Sequence, residues 1–399
     1  MKFWESSEID TDEPMLLIDV KNNEGISENW KIKLSGNNDL GNFIPSFSAD
    51  KLFFSDEIGS INSYEASSGN LLWSTKESEL SSGTASGFGV VVVSDKLGNV
   101  ISYDQIDGTK LWSKNVKAGV LSQAAIDASV VVVKTSAGEL IALDKNNGEI
   151  VWSYRSQLPL LTVRGSSSPV IDDDKVIATF DNGRLVVFQL ATGFPLWDGA
   201  ISYVSGTSEL DNLVDADSNP VIAGSLIYAV NYQGNLSIFD QSQKRSIWKS
   251  KSSSFYSPVI TKGLVIVVEE NSKIITYSNK TLEESWNSDE YLNRSLSNPI
   301  SFKGNLLVGD YEGYVHVINP INGTVLAKYS EPNEITSFGK PLYKIADLST
   351  MELRVYVSEP QLVSIKIGQE VTVKVDGFNG ELFKFPGTIS WISAEAEFT

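Results

Sequence analysis

Few residues in this sequence could do covalent or redox chemistry. The chain has 399 residues, with one histidine and no cysteine. A Ser-His-Asp triad would have to run through His316. That residue sits in the alternating stretch Tyr314-Val315-His316-Val317-Ile318, where a histidine serves the strand rather than a reaction. Without cysteine there is no disulfide, no thiolate metal site and no cysteine nucleophile. Asp172-Asp173-Asp174 resembles a calcium loop only superficially, because it precedes an apolar run and reads as a solvated turn. The glycines follow hairpin spacing and not the Gly-x-Gly-x-x-Gly of a phosphate cradle. The formal charge of −18 excludes a nucleic-acid binder, which needs a basic face, and disfavours an anionic membrane surface. No apolar run approaches the roughly 20 residues needed to cross a bilayer. Met1 to Pro14 is acidic and polar and does not read as a signal peptide. The expectation is a chain without a catalytic centre, metal or cofactor.

What recurs instead is a turn ending in glycine, followed four residues later by tryptophan. It appears as Gly69 and Trp73, Gly108 and Trp112, Gly148 and Trp152, and Gly193 and Trp197. Weaker copies end at Trp248 and Trp286, a copy around Gly323 has lost its tryptophan at Ala327, and Trp30 stands alone at the start. The spacings from Trp30 to Ala327 are 43, 39, 40, 45, 51, 38 and 41 residues. A mark repeated about every 40 residues signals a repeat array. Each unit opens on a small or proline-bearing segment, such as Ser257-Pro258-Val259. An apolar run such as Val130 to Val133 follows, then a glycine turn and an alternating strand such as Glu139 to Asp144. That is four short strands per unit. One such sheet cannot bury both faces alone, whereas a ring of them can, leaving only short edges. The tryptophans then fill the gaps between neighbours and are architecture.

This repeat resembles the propellers named for pyrroloquinoline quinone enzymes. Two stretches break its pattern and account for the spacings of 45 and 51. They are Leu158-Pro159-Leu160-Leu161-Thr162-Val163-Arg164-Gly165-Ser166-Ser167-Ser168-Pro169 and Gly206-Thr207-Ser208-Glu209 through Asp215-Ala216-Asp217-Ser218-Asn219-Pro220. Both resemble elements of the BamB family, lipoproteins of outer-membrane protein assembly, as does the stretch from Ser297 to Tyr314. The resemblance covers roughly residues 28–330. It implies a periplasmic, non-catalytic scaffold at the inner face of the outer membrane of a Gram-negative bacterium, gripping the POTRA domains of BamA. Carried over by motif, the contact residues are Leu161, Val163 and Arg164 with Asp215 and Asp217; Val163 departs from the family's leucine. The bland alternative is that Arg164 only pairs with Asp215 or Asp217 to hold the loops together. Mature members of that family begin at a lipidated cysteine, so membrane attachment would need an anchor that this sequence lacks. Exposed blade edges could also pair with unfolded outer-membrane protein clients.

The C-terminal stretch follows a different pattern. Gly339-Lys340-Pro341-Leu342-Tyr343-Lys344-Ile345-Ala346-Asp347-Leu348 and Gly368-Gln369-Glu370-Val371 resemble HlyD-type periplasmic adaptors, which would imply a part in an export system. A quinone-dependent dehydrogenase is the enzyme alternative and rests on fold alone. The expected fold is all-β: an eight-bladed propeller of four-stranded blades, the last closed by the N-terminal strand, with a small C-terminal β appendage. The expected divisions are an acidic tail at 1–28, the propeller at 29–332 and an HlyD-like β segment at 333–399, part of which would complete blade eight.

Overall fold

The computed structural model describes residues 13–17, 20, 29–32, 43–157, 167–202, 218–329, 366, 369–376 and 382–388. The chain divides into two compact units, Met1–Leu342 and Tyr343–Thr399. In the first, the described residues form seven antiparallel four-stranded sheets, each paired in simple chain order. We number them as blades: one, Ser46–Lys76; two, Ala85–Asn115; three, Ala125–Arg155; four, Val170–Ala200; five, Val221–Lys251; six, Val259–Ser288; seven, Ile300–Tyr329. Blade three shows the plan, with strands Ala125–Ile126, Val130–Lys134, Glu139–Asp144 and Ile150–Arg155. The predicted apolar run, alternating strand and tryptophan strand are the second, third and fourth strands.

The first unit is the expected β-propeller. Its core lies between sheets. Phe53, Ile61 and Trp73 of blade one pack with Val91, Val93, Ile101 and Tyr103 of blade two, and the same arrangement recurs through blades six and seven. The second strands of blades two and three are buried throughout, and those of blades four to six at all but their first residue, because a sheet lies against each face. That is why they read as continuous apolar runs and not as alternating ones. The fourth strands alternate instead, and in blades one to three their tryptophan is the buried residue.

Each hairpin glycine has a left-handed backbone and is covered by the tryptophan of the preceding blade. A Cβ on Gly148 would come 2.6 Å from the Trp112 ring. The Trp112 indole N–H donates to Lys145 O at 2.7 Å, and Trp73, Trp152 and Trp286 make the matching bond to the following blade. Trp30 does the same toward blade one, donating to Ala66 O at 2.8 Å and covering Gly69. It thus occupies the place of an eighth-blade tryptophan, as its spacing suggested. The rest of the expected eighth blade, within 333–367, falls almost wholly outside the described residues, as does the expected boundary at 332.

Part of the expected N-terminal tail is held down. Met15 N–H donates to Leu292 O at 3.0 Å, Arg294 Nη1 donates to Met15 O at 2.8 Å, and Leu17 packs on the core of blades six and seven. In the second unit, Glu370–Asp376 and Leu382–Thr388 pair as an antiparallel hairpin.

Candidate partner-binding face

In a four-stranded up-and-down blade, the turn between strands two and three lies on the same face as the connection to the next blade. The Gly-x-x-x-Trp hairpins lie on the opposite face. Both pattern-breaking loops are blade-to-blade connections, after Arg155 of blade three and after Ala200 of blade four, so both leave from and return to the first face. Leu161, Val163 and Arg164, and Asp215 and Asp217, lie outside the described residues. What the structure gives is the framework from which these loops leave and to which they return.

The departure points are fixed by backbone bonds to strand-two turns. Ser156 N–H donates to Gly138 O at 2.9 Å, and Ile201 N–H donates to Gly183 O at 2.8 Å. Asn182 reaches the first loop's departure point, donating to Ser156 Oγ and to Gln157 O. The return points hold each other. Ser168 N–H donates to Asn219 Oδ1 at 2.6 Å, which joins the second residue after the first loop to the second residue after the other. Asn219 N–H in turn donates to Ser257 Oγ at 3.0 Å, at the entrance to blade six.

Beneath these return points lies a buried cation. Lys134 ends the second strand of blade three and is 3% exposed. Its ammonium donates to Ser167 Oγ at 2.7 Å and to Thr179 O at 3.0 Å, both across the junction in blade four. Asp181 Oδ1 stands 3.9 Å away, an ion pair too long to be a hydrogen bond. Burial pushes the Asp181 carboxyl above its ordinary range, and the charge of Lys134 opposes part of that rise. Sequence reasoning passed over both residues. The signal was present: Lys134 follows Val130–Val133, and the other second strands end in Ser55, Ser94, Phe180, Val230, Val268 and Gly309.

Further round the same face, Tyr232 and Phe255 stack with centroids 4.4 Å apart and planes at 15°, both half-buried. At the entrance to blade seven, the buried Arg294 fork donates to Asp310 Oδ2 at 2.9 Å and 3.1 Å and also pairs with Glu312. His316 Nε2 lies 2.9 Å from the same Asp310 oxygen, and the ring is 1% exposed. Burial raises the Asp310 carboxyl's pKa, but hydrogen bonds from His316 and Arg294 outweigh it and hold the group below its ordinary range. The histidine is therefore part of a strand-face network that also grips Met15, consistent with its structural reading. Asp173 takes the left-handed backbone of a two-strand turn, as expected for the aspartate run.

These features define a propeller of the quinoprotein-repeat class in which two long connections leave from and return to one face, their return points tied to each other. The family model for outer membrane protein assembly factor BamB matches residues 57–288 and 256–381. The chain is 36% identical over 318 residues to the outer membrane protein assembly factor BamB of Pseudomonas aeruginosa, covering 79% of this chain and 84% of that protein. It is 34% identical over 319 residues to the BamB of Kangiella koreensis, covering 79% and 82%. Among solved structures, the BamB of Moraxella catarrhalis superposes with a TM-score of 0.69 at 26% identity, over 73% of this chain and 88% of that one. A europium-containing methanol dehydrogenase superposes with a TM-score of 0.61 at 12% identity, over 73% of this chain and 78% of that one, a likeness of fold alone. The chain belongs to the BamB family of outer-membrane protein assembly factors.

Proposed function

We propose that the protein is a non-catalytic scaffold in outer-membrane protein assembly, working in the periplasm and binding the POTRA domains of BamA. The grip is made by Leu161, Val163 and Arg164 of the first loop with Asp215 and Asp217 of the second. An arginine and two carboxylates beside aliphatic side chains make a polar-rimmed anchor of the kind that dominates protein interfaces. The observation that carries this reading is the joining of the two loop roots on one face, Ser168 N–H to Asn219 Oδ1 at 2.6 Å. Two loops that must present one composite surface need such a shared support. The family assignment supplies the process and the compartment.

Binding to the soluble POTRA domains of the host's BamA tests the proposal, with an Arg164→Glu variant beside the parent. The parent binds, and the variant loses more than tenfold in Kd, about 1.4 kcal/mol. Equal binding by both keeps the role and removes the site. A folded parent that does not bind refutes the scaffold assignment.

A further inference from the structure

The blade three–four junction differs chemically from the others at one position. In five blades the residue three positions before the turn glycine caps the turn, and in blade six Asn271 Oδ1 does so by accepting from Lys273 N–H. Asp56 Oδ1 accepts from Ser60 N–H, Asp95 Oδ1 from Leu97 and Asn99 N–H, Thr135 Oγ1 from Glu139 N–H, Asn231 Oδ1 from Asn235 N–H, and Asp310 Oδ1 from Glu312 and Tyr314 N–H. In blade four Phe180 holds that position and has no polar group to cap with, and Asn182 Oδ1 accepts from Arg184 N–H instead. The next residue, Asp181, has its Oδ1 buried and without a hydrogen bond, facing the Lys134 ammonium. A lysine where blades one and two carry Ser55 and Ser94 thus meets a buried carboxylate across the junction. Burying an ammonium is costly unless acceptors surround it. Nothing in the blade repeat itself requires that cost.

We infer that Lys134 is a positioning residue for partner recognition, holding the roots of both loops in one frame from below. This rests on the scaffold reading above and gives that site its support. The path is continuous. Lys134 donates to Ser167 Oγ, the first described residue after the 158–166 loop. The Thr179 hydroxyl donates to the same Ser167 oxygen at 2.7 Å and lies 3.4 Å from Ser218 O, at the end of the 203–217 loop. Ser168 and Asn219 close the circuit. One cation therefore organises acceptors from a loop root and from the strand that links it to the other root.

The test uses Lys134→Met in the full chain and reads native-state trypsin cleavage after Arg164, resolved by mass spectrometry. The reference is cleavage after Lys175 and Arg184, in the strands of blade four. Loss of a local support speeds cleavage after Arg164 by about fivefold or more while the strand sites keep their parent rates, because local opening and global unfolding are separate equilibria. No change after Arg164, or an equal acceleration at every site, overturns the inference, since the lysine would then be inert or a general stabiliser. Ser167→Ala, which removes the hydroxyl that Lys134 and Thr179 share and leaves the lysine in place, gives the same reading if Lys134→Met does not fold. In POTRA binding, Lys134→Met weakens the parent but adds little in the Arg164→Glu background; additive losses overturn the inference. A parent that fails to bind refutes the scaffold reading, and the cleavage pattern still decides the role of Lys134.

Discussion

Replacing Gly148 with alanine isolates what holds one blade to the next. Gly148 has φ +73°, and an added Cβ would meet the Trp112 ring at 2.6 Å and 2.8 Å. Two costs combine. The left-handed backbone costs an L-residue roughly 1–2 kcal/mol. Forcing the indole aside costs a further 1–3 kcal/mol, roughly, as in other overpacked cores. Displacing the ring also strains the bond from the Trp112 indole N–H to Lys145 O, worth about 1 kcal/mol. With that bond, the expected loss is about 3–6 kcal/mol.

Gly263 supplies the control. Its φ is +75°, nearly the same, but nothing lies within 4 Å of an added Cβ. Gly263→Ala therefore carries only the backbone cost, about 1–2 kcal/mol. Urea unfolding followed by far-ultraviolet circular dichroism and tryptophan fluorescence measures both variants. The difference between them, roughly 2–4 kcal/mol, is the contribution of indole docking. If Gly148→Ala is no more destabilising than Gly263→Ala, the tryptophan does not lock adjacent blades and the account of the repeat is wrong.

Two further expectations concern places where the plan is altered. Lys244 and Leu282 hold left-handed backbone at φ 56° and 60°, at hairpin positions where other blades have glycine. Lys244→Gly or Leu282→Gly should raise stability by up to about 1 kcal/mol, relief of strain being partly offset by a more flexible unfolded chain; a loss in melting temperature would count against it. Asp310 has a lowered folded pKa, so its contribution to stability is present above the ordinary carboxylate range, near pH 4, and disappears as pH falls through the lowered folded value. Urea titrations of the parent and Asp310→Asn should therefore converge below about pH 4. A gap that stays constant to lower pH would remove Asp310 from the acid limb.

The blades were legible because the signals that specify them are local. The tryptophan, the hairpin glycine and the apolar run of each blade fall within about 40 residues, and each reports a backbone or burial requirement that few other residues meet. Trp30 could be assigned its place from spacing alone, and its bond to Ala66 O continues the series. The supports of the candidate face are different in kind. Lys134 meets Ser167 and Thr179 across 33 and 45 residues, and Arg294 meets Met15 across 279. No period links such partners, because each belongs to a different repeat and departs from its consensus. Polar residues at a blade junction become meaningful only when the ring brings two departures together, as it does for a lysine in blade three and a buried aspartate in blade four. The loops show the same division: family resemblance singled out Arg164, Asp215 and Asp217, whereas Ser168, Asn219 and Ser257, which tie the roots together, stood in the sequence only as the small residues before the proline that opens each unit. A repeat fold thus announces its framework through what recurs, and the places where it can recognise a partner through what fails to recur.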